Sequence, residues 1–105
     1  MANDLFVRRT FHVDRREVDC RFFRPEEDQG SFFCRYEIDW PDGTRTKRHG
    51  GVDEVQALLL AMQAAHTDLL AARNNDRREV QWLDDQSLGL PIASGIRDWD
   101  PDNRL

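Results

Sequence analysis

Between Gly51 and Asn75 the chain reads G-V-D-E-V-Q-A-L-L-L-A-M-Q-A-A-H-T-D-L-L-A-A-R-N-N, with no Pro and no Gly after its first residue. At 100° per residue, Val55, Leu58, Leu59, Met62, Ala65, His66, Leu69 and Leu70 fall in one stripe, the i, i+3, i+4, i+7 spacing of an amphipathic helix. Asp53 is placed to accept from the free N–H groups of a first turn. Gln56, three residues on, can reach back to the Asp53 N–H in a variant of the capping box. Arg73 suits the negative end of the helix dipole, and Asn74 and Asn75 tolerate a left-handed exit. The spacing therefore predicts a helix from about Asp53 to about Asn74. Burying such a stripe is worth roughly 1.5 to 3 kcal/mol per large side chain before entropy is subtracted, so this helix must dock on something.

What it docks on is written upstream in a period of two. Leu5, Val7, Phe11 and Val13 share a parity, with Arg9 out of pattern, and Asp14-Arg15-Arg16 makes a polar turn. Val18, Cys20 and Phe22 line one face of a second run, and Pro25 to Gly30 reads as a connecting loop. Phe32, Cys34, Tyr36, Ile38 and Trp40, each two apart, mark a half-buried antiparallel strand. Pairing the second and third runs with Phe22 opposite Phe32 sets Cys20 against Cys34 and Val18 against Tyr36, with Asp19 meeting Arg35 on the other face. That register would bring the two thiols side by side.

Trp40-Pro41-Asp42-Gly43-Thr44 is a turn sequence. A three-residue loop would set Trp40 against Thr44, Asp39 against Arg45 and Glu37 against Lys47. A two-residue loop would instead turn Arg45 and Lys47 onto the apolar face, so the bulged version is expected. The fourth strand, Thr44 to His49, is then a polar, basic edge. After the helix, Glu79 to Leu83 reads as a short fifth strand. Leu88, Leu90 and Ile92 are expected to tuck onto the core, and Asp98 to Leu105 to form a loose acidic tail. The fold class that follows is α+β: an antiparallel meander sheet of four to five strands with one long helix packed on one face. It forms a single domain spanning the 105 residues, with an ordered core over about residues 5–92.

Charge and composition narrow the function more by exclusion than by assignment. A net charge of -5 and a pI near 5.1 lack the basic footprint of a nucleic-acid binder. No apolar run approaches bilayer length, and M-A-N-D-L-F-V-R-R has no secretory pattern, which places the protein in the cytoplasm and away from membranes. Two cysteines in such a chain are expected as buried thiols. His12, His49 and His66 have no metal-ligand spacing, and His66 reads either as a satisfied core imidazole or as the wall of a pocket with Tyr36 and Trp40. Asp98, Asp100 and Asp102 alternate like the start of a calcium loop. Pro101 interrupts them, and the required glycine and closing glutamate are absent. Gly50-Gly51 before the helix could cradle an anion, but the Asp53 carboxylate already occupies the cap. No serine or cysteine sits in a nucleophile setting. No catalytic residue, metal or cofactor is expected.

The helix start G-V-D-E-V-Q-A-L, followed by Trp82 and then Gly89-Leu90-Pro91, resembles a family of small uncharacterised bacterial domains. More loosely, the chain is similar to the small acidic α+β immunity proteins that neutralise bacterial toxins. The acidic balance and the Ala and Leu face of the helix point to a non-enzymatic protein-binding module, with an immunity-like toxin inhibitor as its most concrete form. Its interface would be the small-residue side of the helix, Ala57, Leu60, Ala61 and Ala64, continuing to Ala71, and could serve a protein partner or a homodimer. The alternative is a small-molecule-binding domain with its pocket among His66, Tyr36 and Trp40, between sheet and helix.

Overall fold

The structure, a computed structural model, describes residues 4–83 and 85–103. In chain order the elements are β1 (Leu5–Val13), β2 (Arg16–Phe23), β3 (Glu26–Asp28), β4 (Ser31–Trp40), β5 (Gly43–Gly51), α1 (Glu54–Asn74) and β6 (Val80–Gln81), with a 3-10 helix over Ser94–Trp99. The strands form one antiparallel sheet in which β6, β1, β2, β4 and β5 are successive neighbours, and β3 continues the line of β2 along β4. The expected α+β meander with one long helix is the observed architecture. None of the described helices is long and apolar enough to cross a membrane.

The hairpin registers follow from short turns. Asp14 and Arg15, both at positive φ, close a two-residue turn between Val13 and Arg16, the mirror-image type that matches strand twist. Gln29 and Gly30 do the same between β3 and β4. Because β3 rather than β2 pairs with the start of β4, the β2–β4 register is Phe22 opposite Tyr36 and Cys20 opposite Ile38. The expected pairing of Phe22 with Phe32 is thus corrected by four residues. The shift is even, so every side chain keeps its face. It also separates the thiols: Cys34 lies four residues along the strand from the Cys20 partner, roughly 13 Å at the rise of a strand, beyond disulfide reach.

The second hairpin departs by one residue, and that changes faces. Trp40 pairs with Gly43 and Tyr36 with Lys47, so the loop holds only Pro41 and Asp42. Arg45 and Lys47 therefore point to the same side as Ile38 and Tyr36, contrary to the expected three-residue bulged loop. The arrangement is tolerated because β5 is the sheet edge, where cations beside the helix reach solvent and carboxylates.

The core lies between the inner sheet face, α1 and the C-terminal segment. Phe11, Val13, Val18, Cys20, Phe22, Cys34, Tyr36 and Ile38 come from the strands. Leu88, Leu90 and Ile92 tuck in from the C-terminal segment as expected. From α1, Ala57 and Ala61 are both 0% exposed, whereas Val55 is 65% and Leu59 45% exposed. This corrects the expected orientation: over its first turns the helix presents alanine to the sheet. Close approach is the reason, since a Cβ on Gly51 would stand 2.5 Å from the Ala57 nitrogen. The cap forms at Asp53, whose carboxylate accepts from the Gln56 N–H at 2.8 Å, while Gln56 takes the N–H of Val52 rather than that of Asp53. At the far end Asn75 stays in the right-handed region and the left-handed turn falls on Arg77.

The C-terminal segment is held by two devices, one half-buried and one fully buried. Arg9, the residue out of pattern in β1, lays its guanidinium 3.7 Å from the centre of the Trp82 ring and donates to the carbonyls of Leu88 (3.0 Å) and Gly89 (2.8 Å). Gly89 is required there: its φ is +64°, and a Cβ would come within 2.3 Å of Trp82. The second device is His66 with Asp100, 0% and 1% exposed. The acidic tail is therefore not loose at Asp100, nor at Asn103, which is also buried. Residues 104–105 of that expected tail lie outside the described residues.

Candidate functional site

The sheet and the helix part at one end, where α1 finishes and the β4–β5 turn begins. Alternation along β4 brings Tyr36, Ile38 and Trp40 to the inner face. The two-residue turn adds Arg45 and Lys47 from β5. Asp68, Ala71 and Ala72 supply the helix wall, and Arg78 and Asp76 follow from the loop after it. Together with Asp42 they line an open recess of about 290 Å³, near the lower end for small-molecule sites.

Its polar groups are mutually held. The Tyr36 hydroxyl donates to Asp68 Oδ2 at 2.7 Å, and Lys47 Nζ donates to Oδ1 and Oδ2 of the same carboxylate at 3.1 and 3.2 Å. Burial, reinforced by the neighbouring Asp68 carboxylate, pushes the Tyr36 phenol well above its ordinary range, so it acts as a hydrogen-bond donor at any physiological pH. The His49 ring stacks on Tyr36 with centroids 6.5 Å apart. At the other wall Arg78 stands 5.9 Å from the Trp40 ring and donates from Nε to Asp14 Oδ2 at 2.9 Å. Arg45 pairs with Asp42 at 3.8 Å. Three cations (Arg45, Lys47, Arg78) thus face three carboxylates (Asp42, Asp68, Asp76) across an aromatic and alanine floor.

Of the three residues expected to line a pocket, the structure brings Tyr36 and Trp40 together and removes His66. His66 Nδ1 faces the Pro91 carbonyl at 3.1 Å and Nε2 faces Asp100 Oδ2 at 3.0 Å. The carbonyl can only accept, so the Nδ1 contact is a donation from the ring, and Nε2 and the carboxylate are joined in a hydrogen bond. The same Oδ2 also accepts from the Leu88 N–H at 3.2 Å. His66 is a fully engaged core residue that anchors the C-terminal segment. Among the expected interface residues, Ala57 and Ala61 are buried against the sheet and so are closed to any partner of the folded chain, while Leu60 and Ala64 are half-buried.

Sequence reasoning missed Asp68, Arg78 and the inward aim of Arg45 and Lys47. The one signal for the cations lay in the loop-length choice at Pro41-Asp42. The thiols offer no chemistry: both are buried, and desolvation pushes Cys20 up to about 12 and Cys34 up to about 11, far from the thiolate a nucleophile needs. Among the described residues no group of three or more His, Cys, Asp and Glu side chains is placed to hold a metal ion.

Residues 7–92 match the model of a domain of unknown function, DUF6968. The chain belongs to that family. The matched span takes in the whole seam recess and the Arg9–Trp82–Gly89 clasp but ends before Asp100, the partner of His66. No curated protein and no solved structure matches the chain.

Proposed function

We propose that the protein is a non-enzymatic binding domain whose site is the recess between α1 and the β4–β5 hairpin. Its ligand is a small molecule with a flat apolar body and charged ends. The observation that carries this is the lining itself. Trp40 and the Ala71–Ala72 wall offer a flat apolar slot, and balanced cations and carboxylates stand around its mouth, as expected for a ligand bearing both charges. The raised Tyr36 phenol and the two inert thiols favour binding over catalysis. The test is a metabolite library followed by Trp fluorescence and melting temperature, with Trp40→Ala and Lys47→Ala as controls. A hit that raises the melting temperature and weakens at least tenfold in both variants is expected. A library that leaves both signals unchanged overturns the reading.

A second reading, a protein-binding module, has its own support in the exposed apolar ridge of Val52, Val55 and Leu59 at the start of α1. Here a Val55→Asp/Leu59→Asp double variant should lose a protein partner captured by the natural sequence. Equal capture by both removes this reading and leaves the first untouched.

A further inference from the structure

The seam recess is balanced in formal charge but not in contacts. Each of its cations is already engaged: Lys47 with Asp68 at 3.1 and 3.2 Å, Arg45 with Asp42 at 3.8 Å, and Arg78 with Asp14 at 2.9 Å. Asp14 lies outside the lining, so one carboxylate of the recess is left over. That carboxylate is Asp76, which has no hydrogen-bond or ion-pair partner among the described residues. Arg77, next to it in sequence, is exposed and does not line the recess.

The place of Asp76 makes this surplus unfavourable in the free protein. It follows the C-cap Asn75 directly, at the end of α1 where the helix dipole and the last carbonyls already concentrate negative charge. Arg73, the basic residue of the last turn, is directed elsewhere and donates to the carbonyls of Val80 and Gln86. The backbone at Asp76 is also pinned. Asn75 N–H donates to the Ala71 carbonyl at 2.8 Å and Arg78 N–H to that of Ala72 at 3.0 Å, with Arg77 at positive φ between Asp76 and Arg78. The same two alanines form the wall of the recess, and half-buried Trp40 lines it with them. An indole face, a helix C-terminus and an uncompensated carboxylate all favour positive charge, as does the field of a chain of net charge -5.

We infer that the positive end of the ligand is a primary ammonium or guanidinium group held by Asp76 at the C-terminus of α1, with the flat body of the ligand beside it on Trp40. This rests on the recess being the ligand site, and adds which charge the protein selects and the residue that selects it. An N–H-bearing cation fits better than a quaternary one. A carboxylate and helix-end carbonyls accept N–H bonds, whereas quaternary nitrogen calls for a cage of rings, and this lining holds only Tyr36 and Trp40.

Phenethylamine and hydrocinnamate carry an ammonium or a carboxylate on the same flat body. Titrated separately into the full chain and followed by backbone amide NMR, they test this. Phenethylamine should move the signals of Trp40, Ala71 and Asp76, bind at least about tenfold more tightly than hydrocinnamate, and weaken as salt rises. Asp76→Asn should weaken it about fivefold, the upper range for an ion pair with access to solvent, and Asp76→Glu, which keeps the charge, should restore most of the loss. Glu27→Gln removes a carboxylate on β3, outside the recess, and should leave the affinity unchanged. Equal or tighter binding of hydrocinnamate at the same signals overturns the inference, as does phenethylamine binding that Asp76→Asn leaves unaltered; both outcomes leave the recess standing as a ligand site. Silence from both probes overturns it too, and the recess then stands or falls with the metabolite library.

Discussion

The two halves of α1 are built from the same kind of sequence and packed in different ways. Over the first turns, Ala57 and Ala61 sit against the sheet while the larger Val55 and Leu59, about a third to just under half a turn round the helix, remain in solvent. Over the later turns Ala65 and Leu69 keep the inward position, and the other side is covered as well. His66 and Arg73 are hydrogen-bonded to the C-terminal segment, and Leu70 between them is buried. One amphipathic stripe therefore serves two partners, a sheet that wants small residues and a strap that takes large ones, and the strap stops short of the helix start. The periodic pattern names the helix but not which partner meets which edge of the stripe.

The largest effect expected from breaking this arrangement is at the strap. His66→Ala leaves Asp100 buried without its partner, which should cost about 3 to 5 kcal/mol in urea unfolding and speed amide exchange across residues 88–103. A loss near 1 kcal/mol, the ordinary worth of one hydrogen bond, would mean that the strap does not depend on the pair. Next comes the sheet side of the first half. Ala61→Leu adds bulk where no space exists and should destabilise by about 1 to 3 kcal/mol; an unchanged midpoint would place that face in solvent after all.

The outer sheet face, which neither half of the helix touches, supplies a control of smaller size. Arg21, and after it Thr44, holds the Asp39 carboxyl below the usual range. Its contribution is therefore full above the unfolded value of about 3.9 and is lost as pH falls through the lower folded value. Asp39→Asn should cost about 0.2 to 1 kcal/mol near neutrality, a difference that shrinks toward zero in strong acid. A gap that persists in acid would assign the effect to geometry rather than charge. The smallest change is expected at the exposed edge: Leu59→Ser should stay within about 0.5 kcal/mol of the natural sequence by thermal melting. A loss comparable to that of Ala61→Leu would erase the distinction between the halves.

Much of the candidate site was out of reach of local pattern. Tyr36 and Trp40 were legible because alternation along β4 sends them to one face together with Ile38. His66 stayed open between a core imidazole, which it is, and a pocket wall because helical periodicity shows that a ring is inward and says nothing about which buried element receives it. That element is Asp100, 34 residues away in sequence, within a stretch that reads as a loose acidic tail. Asp68 was passed over because it stands next to the apolar stripe, where its two partners, Tyr36 and Lys47, arrive only through sheet pairing.

By itself the sequence determined the helix, its Asp53 cap, the strands and the side of β4 that is buried, because these follow from periods of 3.6 and 2 and from capping chemistry within a few residues. The contrast between the two hairpin registers shows where that determination stops. Misplacing β2 against β4 by four residues left the inner faces of both strands correct, since an even slip preserves alternation. A one-residue difference at Pro41-Asp42 turned Arg45 and Lys47 from the outer face to the inner one and made the recess. Only the tertiary structure could decide that step. A two-residue and a three-residue turn differ little in local preference, and the choice is made by contacts distant in sequence, above all the Asp68 carboxylate waiting for Lys47 on the helix.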